Sequence, residues 1–361
     1  MLPCFCLLYA LSAMAFTFIH CLKVLAFASF FISLFLIFSL FSRTENFHEF
    51  WYLSTQFTRV NSKHFLKNPR NRPQEWGSGV VGGINFPSLF QGDYSSPVCK
   101  KGHALLILVT SAPWNSKQRN AIRNTWAKKM GPQKYSWQVI FMIGQKSDGI
   151  VSSDVLEEKE MYRDILVGNY VDTYRNLTLK VMHGLKWSLV HCRPHYILKT
   201  DDDCFVNTDR LPQFLMEHNL IKERLYIGSL FTKEKRHVIR EPLSKWYVSK
   251  DDYSKEFYPP YASGIGYVLS LDSALVILVA AERVHPIPVE DAYVGILAKE
   301  GGITVKSSGR FTKHNVNWRV CNYRYLMVIH HVSAEEQETA CEKMLRARTD
   351  CLNNEEIIKW K

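Results

Sequence analysis

No C-x-x-C pair occurs among the nine cysteines of this 361-residue chain, which removes the ligand spacing of a structural zinc site. No internal repeat is visible. The net charge is +11, yet Lys and Arg are scattered and their runs are broken by aromatic or acidic residues. Without a basic stripe or a recognisable binding motif, nucleic acid is excluded as the expected partner. Membrane headgroups or an anionic small substrate remain as reasons for a basic balance. Disorder is excluded for most of the chain, because 47% of it is hydrophobic and only 22% charged.

Near the N-terminus lies a long apolar stretch without charge, and residues 1–22 before it are apolar too, with His20 as their only ionisable side chain. Residues 24–42 (VLAFASFFISLFLIFSLFS) lie between Lys23 and Arg43 and suffice to cross a bilayer as a helix. Three readings compete: a signal-anchor, a cleaved signal peptide and two tightly connected spans. A basic n-region is missing and the apolar run is too long for a signal peptide, so the anchor is favoured. Lys23 against Arg43 gives no decisive orientation. The expected organisation is an apolar N-terminal segment over 1–23, a transmembrane anchor over 24–42, a Pro- and Gly-containing stem over 43–98 and a folded domain over 99–361. That domain, about 260 residues, is large enough for a substantial core. Its six cysteines, Cys99, Cys192, Cys204, Cys321, Cys341 and Cys351, suit either two or three disulfides in an oxidising compartment or six reduced buried thiols. The sequon Asn176-Leu177-Thr178 makes Asn176 a glycosylation candidate.

From Ala104 onward, strand-like and helix-like segments alternate. The apolar runs 104–111, 137–144 and 195–200 read as buried strands, with 164–167 as a short one. Helices are expected from Ser116 to about Lys129, over 152–162 with Ser/Asp capping, and over 176–192 capped by Asn176. Such alternation implies an α/β fold with a mostly parallel sheet and flanking helices. Ligands of these sheets bind beyond the carboxyl ends of the strands. There the third buried strand ends in Asp201-Asp202-Asp203.

Consecutive carboxylates repel, so a positive partner is expected. A hard divalent cation shared with a diphosphate fits, and a solvated acidic turn is the plain alternative. Arg119, Arg123 and Trp126 share one helical face, which serves either a phosphate or an exposed basic stripe stacked on Trp126. Glu290-Asp291 opens an apolar helix, where the helix dipole alone favours acids, and either carboxylate there could act as a general base. His330 and His331 end a strand-like run as structural histidines or metal ligands. The segment YPPYASGIGYVLS (258–270) combines stiff prolines, aromatics and glycines. It suits a wall close to a sugar, or an ordinary turn into a strand.

Taken in order, LLILVTSAPWNSKQRNAIRNTW (105–126), DTYRNLTLK (172–180), YILKTDDDCFVN (196–207), REPLSKWYVSK (240–250), YPPYASGIGYVLS (258–270) and VEDAYVG (289–295) resemble the β-1,3-galactosyltransferase / β-1,3-N-acetylglucosaminyltransferase family. The resemblance covers roughly residues 99–332. It implies a GT-A-like, Rossmann-like α/β domain behind a single transmembrane helix, in a type II protein of the Golgi membrane with the catalytic domain lumenal. A UDP-sugar donor, Mn²⁺, and a glycan acceptor on a glycoprotein or glycolipid follow from the same resemblance, while homo- or hetero-oligomerisation stays open. By the family pattern Asp203 and His330 hold the metal, with His330 preferred over His331. Asp201 and Asp202 face the nucleotide side, Arg119 and Arg123 fall in the donor-binding segment, and Asp291 is the catalytic base beside Glu290. Trp246, Tyr258, Tyr261, Gly264 and Glu290 are the implied substrate wall.

The implied reaction inverts the anomeric carbon in one displacement, with galactose as the first choice of sugar. N-acetylglucosamine and N-acetylgalactosamine remain alternatives, as does a catalytically silent lectin-like or chaperone relative. Many relatives carry Cys where this chain has Ala262 and Leu297, which implies one missing disulfide. Cys99–Cys192 and Cys321–Cys351 are the favoured bridges, and Cys204 is expected as a buried thiol.

Overall fold

The computed structural model describes residues 97–99, 101–129 and 133–351. All belong to the compact unit Pro73–Lys361. The expected anchor and most of the stem lie outside the described residues. Among the described residues no helix is long and apolar enough to cross a membrane.

The run LLILVT forms β1 (Leu105–Thr110), with all six residues buried. A strand apolar on both faces must be covered on both, which suits the middle of a parallel sheet. On one side β1 pairs in parallel with β2 (Trp137–Gln145), and β2 pairs in parallel with β3 (Ile165–Val171). On the other side it pairs in parallel with β4 (Tyr196–Asp201). The chain thus builds outward from β1 and then returns to its opposite edge, so a topological switch point falls between β1 and β4. The register there sets Thr110 against Asp201.

Beyond β4 the sheet continues with β7 (Ala262–Ser270), β6 (Tyr226–Leu230) and the short β8 (Lys306–Ser307). β7 runs antiparallel to both β4 and β6, so its beginning lies at the end of β4 where the aspartates emerge. A second sheet, β5 (Cys204–Val206), β10 (Val328–His330) and β9 (Phe311–Thr312), packs beside the first. A Cβ at Gly266 would lie 3.1 Å from Val328 Cγ1. In this small sheet β10 is antiparallel to β5, with His330 opposite Cys204.

The helices are α1 (Ser116–Asn124), α2 (Ser153–Tyr162), α3 (Leu177–Trp187), α4 (Leu271–Ala281), α5 (Glu290–Glu300) and α6 (Glu336–Asp350). Three differ from expectation. α1 stops at Asn124 rather than near Lys129, because tertiary contacts draw Trp126 out of the helix. Its indole N–H donates to Gln337 Oε1 at 3.1 Å, and its carbonyl accepts from the Thr208 hydroxyl at 2.6 Å. Ser152 precedes α2 without making a side-chain cap, leaving Asp154 in the first turn to meet the helix dipole. Asn176 does not cap α3 either, since its amide donates back to the Val171 carbonyl at 2.9 Å. β3 is also longer than the expected 164–167.

Cys99–Cys192 and Cys321–Cys351 are disulfide-bonded as expected, while Cys204 and Cys341 are free and buried. Ala262 and Leu297 are both fully buried.

Candidate active site

Each aspartate of the triplet has a different partner. Asp201 Oδ1 accepts from the Thr110 hydroxyl at 2.5 Å and from Lys199 Nζ at 2.8 Å. Asp202 Oδ2 accepts from Ser111 Oγ at 2.7 Å and from Asn115 Nδ2 at 2.9 Å. Burial and the neighbouring carboxylates push Asp202 upward, against the pull of those two hydrogen bonds. Asp203 lies 3.2 Å from His330 Nε2 through its Oδ2 and keeps 45% of its side chain exposed. Burial alone would raise Asp203, but the hydrogen bond and charge of His330 outweigh it and hold the carboxyl below its usual range. The β5–β10 pairing fixes this contact, since the backbone N–H of Val332 also donates to the Asp203 carbonyl at 2.9 Å.

Asp203, Cys204 and His330 offer ligand atoms that all lie within 4.8 Å of one another. Cys204 does not suit a metal, because burial and the adjacent aspartates push its thiol well up and Sγ already meets the Ile265 carbonyl at 3.3 Å. Asp203 and His330 do suit one. His330 Nδ1 faces the Lys313 carbonyl at 3.3 Å, which fixes the ring with Nε2 toward Asp203. A carboxylate oxygen and an imidazole nitrogen with open positions around them match a divalent first-row ion. His331 takes a left-handed backbone with φ of 60° and is exposed, its ring tilted against that of His330 with centroids 3.8 Å apart.

The second acidic motif reaches the first through Lys199. This lysine is wholly buried, and its ammonium touches Asp201, the Gly264 carbonyl at 2.7 Å and Glu290 Oε2 at 3.3 Å. Glu290 is itself sealed, with 2% of its side chain exposed and Oε1 accepting from the Tyr267 hydroxyl at 2.5 Å. Burial raises its pKa to about 7, against the pull of Lys199. Asp291 is different. Its oxygens accept from the backbone N–H groups of Gly264 and Ala292 at 2.9 Å each, and the side chain remains half-buried. Burial raises its pKa as well. A Cβ at Gly264 would lie 3.4 Å from Glu290 Oε2, 3.5 Å from Asp291 Oδ2 and 3.5 Å from Lys199 Nζ. All three groups therefore converge on the space beside Gly264.

Arg119 and Arg123 require a correction. Neither guanidinium is available to a donor phosphate. Arg119 is fully buried and bonded to both oxygens of Glu158, to Ser111 Oγ and to the Ala112 and Pro113 carbonyls. Arg123 pairs with Asp164 and Glu158 and lies over the Tyr162 ring at 3.9 Å. Two carboxylates in reach of a buried basic face capture it before any ligand can. Arg119 still serves the site indirectly, because the Ser111 hydroxyl it holds is the one that donates to Asp202.

The implied wall divides into surface and support. Trp246 is 47% exposed, with Lys245 Nζ over its ring at 4.6 Å. Tyr258 and Tyr261 are buried, with Tyr261 packed 5.0 Å from Phe231, so they back the wall rather than face solvent. Tyr174 joins Trp246 at the surface. Burial and the charge of Asp291 push its phenol up to about 12. Nothing in its spacing marked it, although it sits in the DTYRNLTLK run. Asn176 is turned inward to Val171, and Thr178 of the same sequon donates to the Ile287 carbonyl at 2.6 Å. Lys199 was also missed. Its signal was a lone charge in the apolar run YILKT, two residues before Asp201 and hence on the same strand face.

The sequence family described as Galactosyltransferase matches residues 117–308, more than half of the chain. β-1,3-galactosyltransferase 1 of Mus musculus and of Homo sapiens are each 32% identical over 233 residues, covering 64% of this chain and 71% of the relative. β-1,3-galactosyltransferase 5 of Pan troglodytes is 34% identical over 232 residues, covering 63% and 77%. Among solved structures, the glycosyltransferase GlyE of Streptococcus pneumoniae overlays with a TM-score of 0.35 at 9% identity, over 68% of this chain and 61% of that one. That overlay is too loose to carry an argument.

Proposed function

Because the chain belongs to the β-1,3-galactosyltransferase family and is a glycosyltransferase, we propose that it transfers a sugar, galactose by preference, from a UDP-sugar to a hydroxyl of a glycan acceptor with inversion. The observation that carries this reading is the Lys199 tie, which joins two acidic motifs far apart in sequence into one cluster. N-acetyl sugars stay secondary, since the relatives matched are named as galactosyltransferases.

Within the pair, exposure decides the base. Glu290 has both oxygens engaged by Tyr267 and Lys199 and is closed to solvent, so it anchors. Asp291 is reachable, each of its oxygens keeps a free lone pair, and its raised pKa makes it a better proton acceptor near neutral pH than an ordinary carboxylate. Asp291 takes the proton of the acceptor hydroxyl as that oxygen attacks the anomeric carbon. The electron pair of the breaking bond goes to the β-phosphate oxygen. No covalent enzyme intermediate is needed, and Glu290, closed to solvent, is out of reach to form one. Asp203 and His330 would hold Mn²⁺, which supplies charge neutralisation of a departing diphosphate when bound. Asp201 and Asp202, set by Thr110, Ser111 and Asn115, shape the nucleotide side.

In this reading residues 24–42 anchor the chain in the Golgi membrane, and the domain behind the stem works in the lumen. Two disulfides fit that oxidising compartment. The test uses the full chain with Mn²⁺ and UDP-galactose. Asp291→Asn should retain UDP binding and lose transfer, whereas Asp203→Ala should lose the Mn²⁺-dependent part of UDP affinity. Turnover of Asp291→Asn at the wild-type rate refutes the assignment of the base.

A further inference from the structure

One cation of the site has no part in the reaction described so far. Lys313 directly follows β9, whose parallel pairing with β10 brings it beside His330, and the His330 ring meets the Lys313 backbone carbonyl. Its side chain is half-buried, with Nζ 3.3 Å from the centroid of the Phe231 ring. Phe231 packs on Tyr261, which leads into β7 and Gly264. Lys313 therefore lies on the rim that runs from the Asp203–His330 pair toward Asp291, and burial and the nearby Lys235 bring its pKa down to about 8 against the charge of Asp291.

The other charges of the site are spoken for. Asp201 and Glu290 share Lys199, Asp202 has Ser111 and Asn115, Asp203 has His330, and Asp291 has two backbone N–H groups. Among the described residues Lys313 has no carboxylate partner. Its seat is an aromatic face, which attracts an ammonium modestly and does not neutralise it. A half-buried cation with that surrounding calls for an anion brought by a ligand.

We infer that Lys313 contacts the diphosphate of the donor, as a substrate-binding residue that compensates charge on the leaving group. This rests on the proposed transfer reaction. As the acceptor oxygen bonds to the anomeric carbon, the bond from that carbon to the β-phosphate oxygen breaks. The phosphate gains one negative charge, and the acceptor proton goes to Asp291. Lys313 remains protonated throughout and exchanges the ring face for a phosphate oxygen, a charge-assisted contact strongest in the transition state. The backbone carbonyl that orients His330 survives any side-chain change at 313, so the role separates from that of the metal pair.

The experiment titrates UDP, and separately uridine, into the full chain with Mn²⁺ by calorimetry, for wild type, Lys313→Met, Lys313→Gln and Lys313→Arg. Losing a hydrogen bond to a charged group predicts that UDP binds about tenfold or more weakly to the Met and Gln variants. Uridine affinity should be unchanged, and Arg should restore most of the UDP affinity. In turnover, kcat should fall for Met and Gln while KM for the acceptor holds. Equal UDP affinity in wild type and the Met and Gln variants overturns the inference. So does a parallel loss for uridine, which would mean a damaged pocket, or a change confined to acceptor KM, which would place Lys313 on the acceptor. A wild-type chain that does not bind UDP overturns the donor assignment, and this inference with it.

Discussion

Replacing Lys199 by Met should destabilise the domain by an amount that depends on pH. The ammonium is fully buried and compensates Glu290, whose pKa is about 7 from an ordinary value near 4.5. Burial is the main cause of that rise, and Lys199 opposes it. Without the lysine, Glu290 therefore keeps its proton to higher pH. Below about pH 6 the Glu290 carboxyl is mostly neutral in both proteins. There the cost is the lost packing, the Gly264 carbonyl without its donor, about 1–3 kcal/mol, and the Asp201 carboxylate left without its cation.

Above that pH the wild type ionises Glu290 against Lys199, while the variant must hold a proton or an unpaired buried charge. The variant's native state then binds more protons, so its stability falls faster with rising pH. Between pH 6 and 8 the difference integrates to about 1.4 kcal/mol, the value of one full unit centred on a pKa of 7. The far limit for breaking a buried pair is about 3–5 kcal/mol. Urea denaturation of wild type, Lys199→Met, Glu290→Gln and the double variant at pH 6 and pH 8 measures it. The pH-dependent increment should vanish in the Glu290→Gln background. An equal cost at the two pH values, or an increment that survives in the double variant, refutes the argument.

Two further perturbations test the frame around the site. Arg119→Met leaves Glu158 short of a partner and takes a donor from the Pro113 carbonyl, and should cost about 3–5 kcal/mol by denaturation. Its Mn²⁺-dependent UDP affinity should stay within about threefold, because the guanidinium has no access to a ligand; a loss of tenfold or more would restore it as a phosphate contact. Removing the Cys99–Cys192 bridge with serines should lower stability by about 2–4 kcal/mol. Because the bridge sits at the amino ends of β1 and β4, away from the aspartates, kcat should be retained, and a loss of kcat in the still-folded variant would refute that separation.

Much of this was readable from the chain. The runs of β1, β2 and β4 were too apolar to be anything but buried strands, and the triplet at the end of β4 followed from them. Glu290-Asp291 opening a helix was legible from the Pro-containing turn before it. Strand order was not, because periodicity reports what a strand buries and says nothing of its neighbours. The switch point between β1 and β4, which explains why Thr110 and Ser111 meet the aspartates, needed the fold. Arg119 and Arg123 were misjudged for a related reason. Helical spacing put them on one face, but Glu158 and Asp164 come from elements whose placement spacing cannot supply. The family resemblance carried the two disulfides, which no composition could have paired.

The small sheet carries a consequence for how such a chain can change. Asp203 and His330 meet because one backbone ladder counts residues, opposing His330 to Cys204. Side chains around that ladder are free to drift over generations so long as the count survives. A deletion of one residue beside β10 would turn the imidazole to the far face of its strand, while a slip of two would return it to the near face one pair out of step. Arithmetic along the backbone, more than the identity of any flanking residue, is what inheritance must protect here.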